Sequence, residues 1–600
     1  MSETDSRTAA PESDVAPLRE RFLDNPRPGL LWIAGALVLL ALELGRILDW
    51  VKVAGTGVKF IVMTTATLPR WVGSNVESAV ADAGAVPGSL EPAGEVLGSG
   101  VVTVLLLVFA VSVFLSLSDR RITRLVRPDM PSYRRLTVER AILTAALTVA
   151  SALMVLTPVG GLVDGGVGFL TAVLDNLSDQ APTLTSREII PNQGFRSPDG
   201  SGWEGTFLGL SPAQSWGLRV AVVYAYAFAW LGWIWRGYNV FREHYRAADW
   251  TPRDDTLDRF SGHYWGVFGF IIVFMFVVMA LWAPAISTVP LEERSIEPCR
   301  YEHQFLDDTT FQEDLHPADG SGGVETVRHC RANDYSRSVG DTNVGLMSYD
   351  DFDRFSPLGT TSSGGDLMTQ LAHGARTSLI IGLIGLGLAT LIALVMALLT
   401  AYYKGLLDLV TVVASDTIVS IPLFLMVMML SAVLSGSDHP LVTPLDGGLL
   451  LALIFAFAFW PGLWRAIRGP TLQVAEEDWI NAAKSYGQTP SKIMRKHMAP
   501  YVVSYTMIYA SLLVGSAIII TAALSFLGLG ISEPTPEWGR IINDGQAYIT
   551  TNSWHISTVS GLMIVFVVAG FNALGDGLRD AIDPESDVGD GDAATAGGGG

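Results

Sequence analysis

The stretch Glu476-Glu477-Asp478-Trp479-Ile480-Asn481-Ala482-Ala483-Lys484-Ser485-Tyr486-Gly487, followed after nine residues by His497-Met498-Ala499-Pro500, holds the residue types best suited to a mechanical task. Ala482 and Ala483 are small enough for a helix to come close to another protein's backbone. Gly487 permits a turn that residues with side chains resist. Pro500 suits the head of a following helix, where a missing N–H costs little. A short helix over 474–487 is therefore expected to insert into a groove on a partner and move with it. Both alanines should face that partner, touching nothing inside this chain.

Other constellations do different chemistry. No Gly-Lys dipeptide occurs anywhere, so the phosphate-cradling loop of an ATPase is excluded and any ATP hydrolysis must come from another subunit. Cys299 and Cys330, the two cysteines, share one polar stretch with His303, His316 and His329. A disulfide closing that loop is expected, worth on the order of 3–4 kcal/mol in the chain-entropy model. A zinc site or free thiols are the alternatives. Asp416 lies near the start of an apolar run, where a solvated structural role is expected at the inner interface. Glu43 and Arg46 share one helix face and should pair. Ser435-Gly436-Ser437-Asp438-His439 places a hydroxyl, a carboxylate and an imidazole together. Side chains adjacent in sequence rarely converge, however, and a Gly-rich outer turn explains the composition.

The elements that position these residues are apolar runs. Of 600 residues, 16% are charged and 49% hydrophobic, and the mean hydropathy is +0.37. A soluble protein carries about 25% charge. Runs near 29–45, 99–117, 141–163, 218–235, 264–283, 378–402, 410–434, 447–464, 502–529 and 556–578 are each read as a span, giving an all-α polytopic membrane protein with about ten spans. Weaker stretches at 50–68 and 159–177, interrupted by Lys59 and Asp164, read as interfacial or re-entrant helices. No cleavable signal peptide is evident.

Arginine-rich loops at 120–140, 236–259 and 465–496 all fall on one side by alternation, which the positive-inside rule makes cytoplasmic. Both termini then lie in the cytoplasm, and the segment 284–372 lies outside. Residues 1–28 and the acidic, Gly-rich tail 585–600 are expected to be disordered. A net charge of −20 leaves no basic footprint for nucleic acid. The acid excess with six lysines resembles the composition of proteins from extreme halophiles.

The spacing of Ala482-Ala483, Gly487 and Pro500 resembles the coupling loop of binding-protein-dependent ABC importers. Asn481, His497 and Ala499 depart from the usual Glu, Ile and Leu, although His497 is common in the peptide branch. Phe355-Ser356-Pro357-Leu358-Gly359-Thr360, Gly364-Gly365-Asp366 and Gly374-Ala375-Arg376-Thr377-Ser378-Leu379 are similar to the start of dipeptide, oligopeptide and nickel permeases. There Ser356, Thr361, Gly365 and His373 replace the usual His, Asp, Arg and Tyr. Ala401-Tyr402-Tyr403-Lys404-Gly405 is similar to the first inner turn of those permeases. Ser525-Phe526-Leu527-Gly528-Leu529-Gly530, Pro534-Thr535-Pro536-Glu537-Trp538-Gly539 and Phe571-Asn572-Ala573-Leu574-Gly575-Asp576 resemble their C-terminal third, in the form of the second of two paired permeases.

The resemblance covers about 264–584 and implies a type I importer core. That core has a first helix at 264–283, an external loop domain at 284–372, and a body at 373–584 with its coupling loop at 474–500. An additional transmembrane region at 29–263, about four helices, precedes it. The implied partners are ABC ATPase subunits, a second homologous permease, an external substrate-binding protein, a peptide or other small solute such as nickel, and membrane lipid, with no cofactor. The rival reading, an ion-coupled secondary transporter, requires ionisable residues and broken helices in matching halves, and the sequence lacks such a pair. Because every motif lies in 264–584, a chain beginning near Asp254 is expected to insert and bind its permease partner.

Overall fold

A computed structural model describes residues 18–52, scattered positions between 138 and 149, and 159–582 apart from 182, 197–201, 249, 292–301, 307–323, 329–335, 351–352, 436–446, 530 and 532–533. The span expected near 99–117, most of the 50–68 stretch, Cys299, Cys330, residues 436–439 and the tail lie outside the described residues, and the run 141–163 is described at fewer than half of its positions.

The N-terminal region holds helices α1 (Leu18–Asp24), α2 (Arg27–Leu42), α3 (Val159–Gln180) and α4 (Pro212–His244). Residues 18–24, expected to be disordered, are helical; Phe22 packs on Tyr245 with ring centroids 5.5 Å apart, and this contact gives the short helix a tertiary anchor. The α1–α2 pair bends by 94°. Pro26 has no N–H to carry a helix through that corner. The 159–177 stretch is helical within α3, which is not among the helices long and apolar enough to span. Ser211 and Gln214 cap the start of α4 reciprocally.

The core follows as α5 (Pro252–Gly262), α6 (Tyr264–Leu281), α7 (Ala283–Ile286), α8 (Leu367–Tyr403), α9 (Gly405–Ser420), α10 (Leu423–Ser435), α11 (Gly448–Glu476), α12 (Asp478–Ser485), α13 (Pro490–Ile493), α14 (Ala499–Phe526), α15 (Trp538–Gly545) and α16 (His555–Ile582). Among the described residues, six helices can cross a membrane, or up to eight if each bent pair is one span. The run 410–434, expected as one span, is built of two helices. Pro422 leaves no N–H for the ladder and biases Ile421 to an extended φ of −82° and ψ of 123°, so α9 and α10 meet at 82°.

Among the described residues, three short antiparallel hairpins accompany the helices: β1 (Phe195–Arg196) with β2 (Trp203–Glu204), β3 (Glu302–Leu306) with β4 (Val324–Arg328), and β5 (Ser348–Tyr349) with β6 (Phe355–Ser356).

Small residues set one close helix pairing. A Cβ added at Gly266 would lie 2.8 Å from the Cα of Gly577, and one at Gly269 would lie 2.4 Å from the Leu574 nitrogen. These contacts run α6 antiparallel to α16 at backbone range, the use of small residues expected between helices in lipid. Gly515 beside Val568 and Gly575 beside Leu512 make α14 antiparallel to α16 as well. The ends of α4, α11 and α16 and the starts of α6 and α14 therefore share one face of the molecule. His263 Nε2, 3.0 Å from Asp580 Oδ2, marks that face. At the opposite face Trp538, Phe276, Leu367, Leu371 and Ile556 form one buried cluster with Val223 and Tyr226 of α4.

Candidate coupling loop and pore-mouth residues

The residues between α11 and α14 form a small folded unit. α11 ends at Glu476, and Glu477 turns the chain with φ −61° and ψ 146° before α12 begins. The loop helix is thus shorter than the 474–487 expected. Ile480 and Ala483, three residues apart and so on one face, sink into a cluster of Leu398 and Ala401 from α8, Ala475 from α11, and Ile493, Met498 and Val502. Ala483 is 5% exposed, so it faces inward and not toward a partner, against expectation. The outward face is made of Trp479, Asn481, Ala482 and Tyr486. Tyr486, 85% exposed, is the extreme point.

The end of α12 is closed by backbone geometry. Gly487 has φ +71°. Its N–H donates to the Lys484 carbonyl at 3.0 Å, and the Gln488 N–H donates to the Ala483 carbonyl at 3.2 Å. This paired pattern terminates a helix through one left-handed residue, usually glycine. Nothing lies within 4 Å of a Cβ placed there. His497 Nε2 is 2.9 Å from Gln488 Oε1 and ties the turn to the next helix. Asn481 Nδ2 reaches back to the Glu476 carbonyl at 3.3 Å.

Pro500 does not restart the chain. Helical backbone runs from Pro490 to Phe526, with one π turn at Met494–Met498. Ala499 donates to the Met494 carbonyl across that turn. The wider turn shifts the ladder just before a residue that cannot donate, so the helix passes a proline.

Ion pairs join the surrounding helices. Lys404 pairs with Glu476 across the ends of α8 and α11. Arg468 grips Asp408 by two bonds of 2.9 and 2.5 Å. Arg465 pairs with Asp416, which gives that carboxylate the structural role expected of it. The Lys404 backbone, at φ 52° and ψ −162°, and Gly405, at φ 57°, make the tight corner between α8 and α9. On the same face, Asp254 bonds Arg246 and Tyr238, which hold its carboxyl well below the ordinary range.

At the opposite face two carboxyl groups cap helices from inside the protein. Asp366 Oδ2 accepts from the Thr369 N–H at 2.7 Å at the start of α8, and burial pushes its carboxyl up. Glu537 Oε2 accepts from the Gly539 N–H at 2.6 Å at the start of α15. Burial pushes the Glu537 carboxyl up to about 7, more than these bonds and the nearby Ser525 draw it down. The adjoining Trp538 Nε1 donates to the Leu371 carbonyl at 2.9 Å. Thr361 Oγ1 accepts from the Gly365 N–H at 3.2 Å and so closes the turn before α8. At mid-span, a groove of about 350 Å³ opens between α9, α11 and α14, lined by Phe459, Gly462, Tyr509 and Leu513 among others.

Arg219 belongs to none of the motifs legible in the sequence. It is fully buried and donates to the carbonyls of Ala285 (2.6 Å), Ser287 (2.8 Å) and Ile190 (3.0 Å) and to Asn192 Oδ1 (2.7 Å). An arginine at the edge of an apolar run was the available signal. Glu43 and Arg46 do pair, at 3.4 Å, but both are buried, and Glu43 also accepts from the Thr185 N–H and hydroxyl. Among the described residues, no group of three or more His, Cys, Asp and Glu side chains could hold a metal ion.

A family model described as "Binding-protein-dependent transport system inner membrane component" matches residues 368–587. The chain is 33% identical over 228 residues to the dipeptide transport system permease protein of Alkalihalophilus pseudofirmus, covering 38% of this chain and 71% of that one. It is 32% identical over 253 residues to the glutathione transport system permease protein of Pectobacterium atrosepticum, covering 40% and 80%. It is also 32% identical over 228 residues to the oligopeptide transport system permease protein of Haemophilus influenzae, covering 38% and 70%. These likenesses lend no support to the halophile reading of the composition.

Proposed function

The chain belongs to the family of binding-protein-dependent transport system inner membrane components, and on that premise we propose that it is the membrane-spanning permease subunit of an ATP-driven importer of peptides. The observation that carries this reading is α12. Its outer face offers Trp479, Ala482 and Tyr486 to a partner, while Ile480 and Ala483 bind its inner face to α8, α11 and α14. Force applied outside therefore reaches three core helices through packed side chains.

In this reading ATPase subunits grip the outer face of α12 together with Asn481 and Gly487, so that face lies in the cytoplasm. A second homologous permease completes the pore, and the apolar mid-span groove borders the path or the partner. An external binding protein delivers the peptide to the face bearing Asp366 and Glu537. The names of the similar dipeptide, oligopeptide and glutathione permeases support a peptide cargo. Closing of the ATPases draws two such α12 helices together and turns the cavity outward. The external segment 284–372 belongs to the binding-protein side, and Cys299 and Cys330 form a disulfide there. The register Glu302↔Arg328 supports that pairing, since in the sequence Glu302 follows Cys299 by three residues and Arg328 precedes Cys330 by two.

Co-purification from cells expressing the chain with its partners tests the reading. Stoichiometric recovery of ATPase subunits, lost in Ala482→Trp while membrane abundance is kept, is the expected result. Recovery unaffected by that substitution would remove α12 as the socket.

A further inference from the structure

On the coupling-loop face, far from α12 in the chain, α2 and α4 cross through a reciprocal contact. Trp32 Nε1 donates to the Trp233 carbonyl at 2.9 Å, and Trp233 Nε1 donates to the Trp32 carbonyl at 3.1 Å. Each indole lies where a Cβ on the opposite helix would be: a Cβ at Gly35 would come within 2.1 Å of Trp233, and one at Gly237 within 2.4 Å of Trp32. Beside this crossing a groove of about 820 Å³ opens, lined by Arg27, Leu31, Trp235, Arg236 and Asn239 among others.

The groove is cationic. Arg27 begins α2, and Arg236 lies over the Trp233 ring with its guanidinium 6.0 Å from the centroid. Both are exposed, and neither is paired with a carboxylate among the described residues. Glu243 and His244 line the groove as well, so that two arginines face one carboxylate. On its apolar side the groove is lined by Leu31 (72% exposed), Pro28 and Val240, which form an apolar track beside the two cations.

We infer that this groove binds the phosphate of an anionic phospholipid, with an acyl chain laid along Leu31 and Val240. Two arginines facing one cavity match a phosphate. Tryptophans at a helix end sit at headgroup depth in a bilayer. Basic pockets between membrane helices on the face of the negatively charged leaflet attract such headgroups. A free phosphate ion shares the charge but has no use for the apolar track, and that difference separates the two sources.

The test uses the full chain purified in a mild detergent, with native mass spectrometry counting bound phosphatidylglycerol or phosphatidylcholine. The wild-type protein is expected to retain phosphatidylglycerol selectively. The double substitution Arg27→Gln with Arg236→Gln should lower that retention by about tenfold, whereas the Lys pair at both positions should keep most of it. Unchanged thermal unfolding of the Gln variant without lipid confirms that its fold is intact; if it unfolds early, the Lys pair against Arg236→Gln alone makes the same comparison. Equal retention of phosphatidylglycerol by wild type and Gln variants would overturn the inference. So would full displacement of the lipid by millimolar inorganic phosphate, which would mark a free-anion site.

Discussion

Glu537 caps α15 with its carboxyl 1% exposed and its pKa raised above the ordinary value of 4.5 to about 7. The neutral form thus favours the fold. The stability it contributes is complete below about pH 4.5 and is lost as pH rises through about 7. Glu537→Gln, which stays neutral, should flatten that fall. The difference between wild type and variant should grow from pH 5 to pH 8 by on the order of 3 kcal/mol, read as a widening gap in thermal midpoint in detergent. A gap independent of pH would show that Glu537 is ionised throughout.

Gly487 permits an equally local test, because its Cβ position meets nothing and only the backbone decides. A branched residue at φ +71° is strained by roughly 1–2 kcal/mol, whereas Asn tolerates the region better. Gly487→Val should weaken ATPase association while Gly487→Asn retains it, membrane abundance being normal in both. Equal behaviour of the two variants in co-purification would release Gly487 from any role in aiming α12. The sequence already carried this turn, since a glycine at that spacing after a short helix has few other uses. It could not say which alanine faces out. Ala482 and Ala483 are identical as letters, and the burial of Ala483 is decided by Leu398 and Val502, which lie far away in the chain.

Among the elements, α12 is held to the core by few side chains, so its anchor can be weakened without touching the docking face. Ile480 is fully buried in that cluster. Ile480→Ala should remove about 2–4 kcal/mol of local packing and leave Trp479, Ala482 and Tyr486 in place. ATPase subunits should still co-purify, but substrate-stimulated hydrolysis should fall, because the helix moves without carrying α8 and α14. Full stimulation in this variant would mean that force takes another route, with the Lys404–Glu476 pair the next to examine. Hydropathy sufficed to find these spans because length and composition alone determine whether a helix can cross. It missed the 82° break at Pro422, although the proline was in view, because apolar composition continues unbroken through the corner. The π turn ahead of Pro500 was also hidden, since sequence alone does not distinguish a proline that starts a helix from one that a wider turn accommodates.

For the whole molecule, the position of the N-terminal region changes an expectation. Every recognisable motif lies after Asp254, which made a chain starting there look sufficient. Arg219, however, places three of its hydrogen bonds on the carbonyls of Ala285, Ser287 and Ile190, and Asn192 Nδ2 and Trp216 Nε1 bond those of Thr288 and Ile286. Trp282 packs against Tyr226 and Trp50. Val223, Tyr226 and Ala227 belong to the same buried cluster as Trp538 and Leu371. Removing residues 1–253 would strip the partners from four successive carbonyls, each costing about 1–3 kcal/mol wherever it stays buried without a new partner. It would also bare the side of Trp282. The shortened chain should therefore accumulate poorly, and in detergent its amides at 283–289 should exchange faster than in the full chain. Arg219→Leu in the full chain, which unpairs a subset of the same carbonyls, should show a weaker form of that defect with the N-terminal helices still present. A shortened chain that unfolds at the full chain's temperature, with 283–289 equally protected, would return the N-terminal helices to the status of an accessory. The opposite result makes them a part of the permease, at the end opposite the coupling loop, that motif recognition cannot see, because a guanidinium that binds backbone carbonyls imposes no residue type on its partner segment.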